Sequence, residues 1–304
     1  MNTSWKELAV VVSQSIAELI SDKLIEYGSQ GTIFETIEEL PDHTKILAYY
    51  PEETELDTLI LHIQHYAQSL QELGENIGQL QFMSQHIDDR DWKSEWKHYF
   101  KPTRIGQHLV IKPSWESFEQ QSSDLVIEID PGMAFGTGLH ASTRLAAALL
   151  EEYMPQDVDV LDVGVGSGIL SIAAACLGAQ YVLGVDVDAE AVEIARDNVS
   201  KNGRLCEEKF QRKKGCIELQ VGSLDSLDIS REFECIVMNI RPNIIIPLLP
   251  YAETFLRTGG AIIISGILEE EGPDLLHEIR HIGYVAHKQR VEDGWIAYVL
   301  SKLS

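Results

Sequence analysis

Apolar residues in this chain recur with two periods, and the alternation between them sets out the elements. Residues 5–12 (W-K-E-L-A-V-V-V) read as a strand. Ile16, Leu19, Ile20 and Leu24 then fall at helical spacing within Gln14–Tyr27, and Gly28 is placed to end that helix. Two β-rich stretches follow, Gly31–Ile37 and Lys45–Tyr50, separated by the Pro41-Asp42 turn. Glu53–Leu73 is a long amphipathic helix closed by Gly74, and Gln79–Ile87 alternates as a strand. The order βαββαβ predicts a small ferredoxin-like α+β domain over residues 1–87. Its His62 and His65 read as solvated helix residues rather than ligands.

Residues 88–104 are charged, with Trp92 and Trp96 one helical turn apart and Pro102 as a stop, which predicts a linker helix. The remainder, 105–304, reads as a second domain in which strands and helices alternate. Strands are predicted at His108–Lys112, Leu125–Ile129, Val158–Val163, Tyr181–Val185, Ile217–Val221, Phe233–Asn239, Ala261–Ser265 and Tyr284–Val291. Helices are predicted at Ser142–Tyr153, Ile169–Leu177, Glu190–Ser200, Ile244–Leu256 and Gly272–Ile282, with residues 203–214 as a charged connection and Gly259-Gly260 as a turn. Glu292-Asp293-Gly294 turns the chain back into Trp295–Lys302. A parallel sheet flanked by helices and ending in an antiparallel hairpin is the expected architecture.

The chemistry concentrates on the βαβ unit around residues 158–188. Gly164, Gly166 and Gly168 follow its first strand, and Asp186 ends its second. Glycines there let backbone approach a ligand, and the helix N-terminus behind them offers unpaired N–H groups. Asp186 is positioned to accept hydrogen bonds from a ribose diol. The spacing G-x-G-x-G brings the third glycine one residue earlier than the dinucleotide fingerprint, and no G-x-x-x-x-G-K-[ST] run exists for a P-loop. An NAD-dependent oxidoreductase is therefore disfavoured. A second glycine loop, D-P-G-M-A-F-G-T-G-L-H at 130–140, lies between a strand and a helix, as a segment closing over a ligand would. Phe135 within it either walls a reaction site or packs the loop. His277-Glu278-Ile279-Arg280-His281 matches H-E-x-x-H, but the helix stops at Gly283 without a third ligand, so no metal site is assigned.

Composition narrows the partners. The 304 residues are 44% hydrophobic, enough for a sizeable core. No apolar run approaches the ~18 residues that a membrane span needs, and Trp5-Lys6-Glu7 interrupts any apolar leader. The four cysteines lack C-x-x-C spacing, which suits a reducing, cytoplasmic setting. A formal net charge of −24 opposes direct contact with a nucleic-acid backbone; it either steers a basic partner or serves to keep the chain in solution.

The combination of D-P-G-M-A-F-G-T-G-L-H with Thr143 after it, D-V-G-V-G-S-G-I-L followed by V-D-V-D, and Asn239-Ile240 ending a strand resembles the PrmA family. That family comprises class I methyltransferases of the large-subunit ribosomal protein numbered eleven. The likeness runs over nearly the whole chain. It implies a seven-stranded Rossmann-like domain using S-adenosyl-L-methionine, preceded by a ferredoxin-like domain that recognises substrate. It implies a monomer that methylates lysine side chains and an N-terminal amine of a basic ribosomal protein. By resemblance Thr143, Gly164, Asp186 and Asn239 hold the cofactor; Gly166, Gly136, Thr137 and Ser223 are expected beside them, and Asn239 and Phe135 are the candidates for positioning the substrate amine. The chain departs from the pattern at Ala141-Ser142, at Arg241-Pro242, and at Ser223-Leu224, where an acidic residue often holds adenine. Another amine substrate, or a cofactor-binding ribosome-assembly role without activity, is the alternative.

Overall fold

A computed structural model of the chain describes residues 4–29, 32–37, 39–72, 74, 76–88, 100–130, 140–210, 217–227 and 229–303. The chain divides into two compact units, one up to Phe100 and the other from Lys101 onwards.

The first unit runs β1 (Ser4–Ser13), α1 (Ala17–Glu26), β2 (Thr32–Thr36), β3 (His43–Pro51), α2 (Leu56–Glu72) and β4 (Gln81–Asp88). Its sheet has the order β2-β3-β1-β4, and every pairing is antiparallel. The period-2 pattern decides which face is covered. Leu8, Val10, Val12, Ile46, Ala48 and Tyr50 point to the helices and pack on Ile16, Ile20 and Leu24 before and within α1 and on Leu59, Ile63 and Ala67 of α2. Burial without a polar partner would penalise the Tyr50 hydroxyl; it donates to Leu24 O at 2.9 Å, and burial pushes its pKa above the usual tyrosine range. This is the expected ferredoxin-like arrangement.

The second unit opens with β5 (Thr103–Arg104), β6 (Leu109–Lys112) and β7 (Leu125–Glu128), a small three-stranded sheet. Then come α3 (Ala141–Tyr153), β8 (Asp159–Val163), α4 (Ile169–Leu177), β9 (Tyr181–Asp186), α5 (Ala189–Phe210) and β10 (Ile217–Val221). The chain continues through β11 (Phe233–Asn239), α6 (Pro242–Phe255), β12 (Leu256–Leu268), α7 (Gly272–His281), β13 (Tyr284–Glu292) and β14 (Trp295–Lys302). The seven-stranded order is β10-β9-β8-β11-β12-β14-β13. All its strands are parallel except β14, which runs antiparallel to both neighbours. The closing hairpin turns at Asp293 (φ 50°) and Gly294 (φ 78°), the paired positive φ values that a tight two-residue turn requires. This is the seven-stranded methyltransferase arrangement that the resemblance implies.

Both faces of this sheet are buried, which explains why its central strands read as nearly unbroken apolar runs. Val160, Val182, Cys235, Val237 and Ile263 point to one side, with Leu145 and Leu149 of α3 and Ile172 of α4. Leu161, Leu183, Ile236, Ile262 and Ile264 point to the other, with Ile245 and Leu249 of α6 and Leu275 and Ile279 of α7. Strand order reverses between β8 and β11, so their carboxyl ends diverge and leave a crevice there.

Two expectations change. The helix predicted to end at Ser200 continues to Phe210, into what was expected to be a charged connection. Arg204, Leu205, Glu207, Glu208 and Lys209 are good helix formers, so their charge does not by itself mark a loop. The strand predicted at Ala261–Ser265 spans Leu256–Leu268, taking in Gly259-Gly260, where its register with β11 shifts. The Trp92/Trp96 linker and most of the 130–140 loop lie outside the described residues.

Candidate functional site

The carboxyl ends of β8, β9, β10 and β11 lie along one edge of the sheet, and the candidate residues come from those ends. Gly164 (φ 78°), Gly166 (φ 50°) and Gly168 (φ 80°) occupy the left-handed region that glycine enters at little cost. A Cβ on Gly164 would come within 2.4 Å of Ile240 Cγ2, so the absence of a side chain is also a packing requirement.

Asp186 organises this loop. Its Oδ2 accepts the Gly166 N–H at 2.9 Å and its Oδ1 accepts the Asp188 N–H at 3.0 Å. A carboxylate has about four lone-pair sites, so two remain for the hydroxyls of a diol. Asp188 in turn accepts the Glu190 N–H at 2.9 Å and caps α5. The Gly222 N–H donates to Asp186 O at 2.8 Å, which aligns the β10 end with that of β9.

The other side of the crevice is built from α3 and β11. Thr143 is fully buried, and its Oγ1 accepts from Asn239 Nδ2 at 3.2 Å. His140 caps α3 by accepting the Ser142 N–H at 3.3 Å, and its ring meets the Trp295 indole edge-on at 4.6 Å. Ser265 Oγ donates to Ser142 O at 2.8 Å, so α3 is tied to β12 beside Asn239. The remaining amide oxygen of Asn239, Oδ1, is buried and has no hydrogen-bond partner among the described residues. Buried acceptors are nearly always paired in folded proteins. This one lies at a strand tip beside the glycine loop.

Of the predicted site residues, Gly164, Gly166 and Asp186 form one connected group, and Thr143 and Asn239 form a second. Ser223 lies two residues past the end of β10, but its N–H is engaged by Ser226 Oγ at 3.1 Å within a short 3-10 turn. Phe135, Gly136 and Thr137 lie outside the described residues.

The spacing argument passed over Asp162, the acidic residue two before Gly164. It is buried, accepts from Ser171 Oγ at 2.6 Å, and leaves Oδ1 without a partner among the described residues. Burial pushes its pKa up to about 7; the Ser171 hydrogen bond opposes that rise and the Asp186 charge adds to it. A carboxyl group in an otherwise apolar strand (V-L-D-V) was the available signal. Val187 and Val221 were also passed over. They are 74% and 54% exposed beside Asp186 and Gly222, an apolar surface at the strand tips suited to a flat base. Cys235 is not a nucleophile: burial, with the Asp162 charge, pushes its thiol up to about 12.

The family profile described as "Ribosomal protein L11 methyltransferase (PrmA)" matches residues 4–302. The chain belongs to this family. Proteins named ribosomal protein L11 methyltransferase are similar along its length. One from Streptococcus mutans is 32% identical over 98% of this chain and 96% of its own. One from Streptococcus pyogenes is 33% identical with the same coverage of both chains. Among solved structures, a ribosomal protein L11 methylase from Lactobacillus delbrueckii subsp. bulgaricus superposes with a TM-score of 0.60 at 32% identity, covering 67% of this chain and all of that one.

Proposed function

We propose that this protein is an S-adenosylmethionine-dependent methyltransferase acting on lysine side-chain and N-terminal amines of large-subunit ribosomal protein L11. The observation that supports the reading is the buried Asn239 Oδ1, without a hydrogen-bond partner among the described residues, beside the Gly164–Asp186 cradle. The residues present fit the cofactor. Asp186 retains lone pairs for a ribose diol, Gly164 and Gly166 keep side chains away, and Val187 and Val221 offer an apolar face to a purine. Gly136, Thr137 and Ser223 complete the holding set in this proposal, and Phe135 walls the acceptor side. When bound, S-adenosylmethionine supplies an electrophilic methyl group on a sulfonium.

The acceptor amine must arrive neutral, with its lone pair aimed. Presenting a lysine of pKa ~10.4 in that form at pH 7 costs about 4 to 5 kcal/mol, whereas an α-amino group near ~7.7 costs only about 1. Desolvation at the site lowers an amine's pKa. Asn239 Oδ1 accepts one amine N–H and thereby turns the lone pair outward, and Thr143 holds the amide in place from behind. Orientation of two bound reactants supplies much of the remaining acceleration. No general base is required beyond proton loss to solvent before docking.

Residues 1–87 form the substrate-recognition domain in this proposal, residues 88–104 the linker and 105–304 the catalytic domain. The net charge of −24 favours encounter with a basic protein over nucleic acid. Among the described residues no helix is long and apolar enough to cross a membrane. We assign a monomer acting in the cytoplasm, where its substrate is made. The test is incubation with methyl-labelled S-adenosylmethionine and ribosomal protein lacking the modification. Label in a single small basic protein supports the reading. Cofactor binding without label in any protein supports an assembly role instead.

A further inference from the structure

His277 and His281 lie one turn apart on the exposed face of α7, and their Nε2 atoms approach to 3.1 Å with ring centroids 4.5 Å apart. We propose that this pair is a two-histidine clasp for a divalent transition-metal ion of the nickel or zinc type, separate from the methyl-transfer site.

Imidazole nitrogens bind such ions at about 2.0–2.1 Å. Two nitrogens 3.1 Å apart therefore subtend about 98° at a shared ion bound at such distances. That angle lies between the cis angle of square or octahedral coordination and the tetrahedral angle, so the nitrogen separation suits a shared ion once each ring turns to aim its lone pair at it. The helix supplies the preorganisation, because residues four apart are neighbours on its surface. Both rings are exposed, and each is the other's hydrogen-bond partner. Asp274, three residues before His277, adds negative charge on this helix and Arg280 opposes it.

The clasp is not a hydrolase centre. H-E-x-x-H enzymes need a third protein ligand, and no group of three metal-binding side chains exists among the described residues. Nor does it belong to the cofactor crevice. The last turn of α7 feeds the start of β13, which runs parallel to β8–β12, so the pair lies at the amino edge of the sheet. An ion there would pin the C-terminal turn of α7 just before Gly283.

The experiment is calorimetric titration of the full-length, tag-free protein with NiCl2 and with ZnCl2. His277→Gln, His281→Gln and, as a control, His65→Gln are titrated alongside, and circular dichroism confirms the fold of each. The expected result is one equivalent bound by the parent and by His65→Gln, with affinity at least tenfold weaker in either clasp variant. MgCl2, which prefers oxygen ligands, gives no binding. Undiminished affinity in both clasp variants, absence of nickel and zinc binding to the parent, or equal binding of magnesium would overturn the proposal.

Discussion

Replacing Asp186 by alanine tests the cradle where its geometry is best defined. The carboxylate holds the Gly166 and Asp188 N–H groups at 2.9 and 3.0 Å and keeps two lone pairs for a diol. Each hydrogen bond to a charged acceptor contributes roughly 1.5–3 kcal/mol. Loss of two such bonds from the ribose therefore removes about 3–6 kcal/mol, reduced by whatever water recovers in the vacated space. Every 1.4 kcal/mol is tenfold, so S-adenosylmethionine affinity should fall by roughly two orders of magnitude or more. The two released N–H groups lie at the surface edge of the loop and can turn to water, so the fold should survive with a modest loss of stability. Calorimetric titration with S-adenosylmethionine and S-adenosylhomocysteine reads the affinity, and thermal unfolding without ligand reads the fold. Asp186→Asn separates charge from shape, since one of its amide hydrogens must then face a backbone N–H donor. Affinity within threefold of the parent in a folded Asp186→Ala protein would refute the assignment.

Other outcomes follow from the same geometry. Gly164→Ala places a Cβ against Ile240 at a residue with φ 78°, so stability should fall by about 1–3 kcal/mol and cofactor affinity with it; urea unfolding checks the first and titration the second. Thr143→Val removes the acceptor that fixes Asn239 Nδ2, and should lower kcat and weaken S-adenosylmethionine binding together, read by single-turnover kinetics and by titration. Asp162 has a raised folded-state pKa, about 7 against ~3.9 unfolded, so the native state binds the proton more tightly. Its contribution is most favourable below the unfolded value and is lost as pH rises towards 7. Asp162→Asn should therefore gain stability relative to the parent as pH rises from about 4 to about 7 and level off above that, measured by urea unfolding; a pH-independent difference would contradict this.

The elements that set up the crevice were legible because they obey one local period. The apolar runs at Val158–Val163 and Tyr181–Val185, with glycines at every second position between them, admit few alternatives to a βαβ unit. The closing hairpin was legible from Asp293-Gly294, whose positive φ values few other residue pairs accept. Contacts remote in sequence were not. Thr143 and Asn239 meet across 96 positions, and only the folding of α3 against β11 and β12 brings them together. Asp162 read as one more strand residue until burial and Ser171 gave it a distinct environment. The end of α5 was not legible, because charge alone does not distinguish a loop from a helix built of Arg, Glu, Lys and Leu.

The most direct test of the central claim is a crystal structure of this protein saturated with S-adenosylhomocysteine. The account predicts nucleoside density over the carboxyl ends of β8 and β9, the ribose hydroxyls within hydrogen-bonding distance of Asp186, and the sulfur facing Asn239. A nucleoside bound elsewhere, or seated there with Asp186 turned away from the sugar, would contradict it.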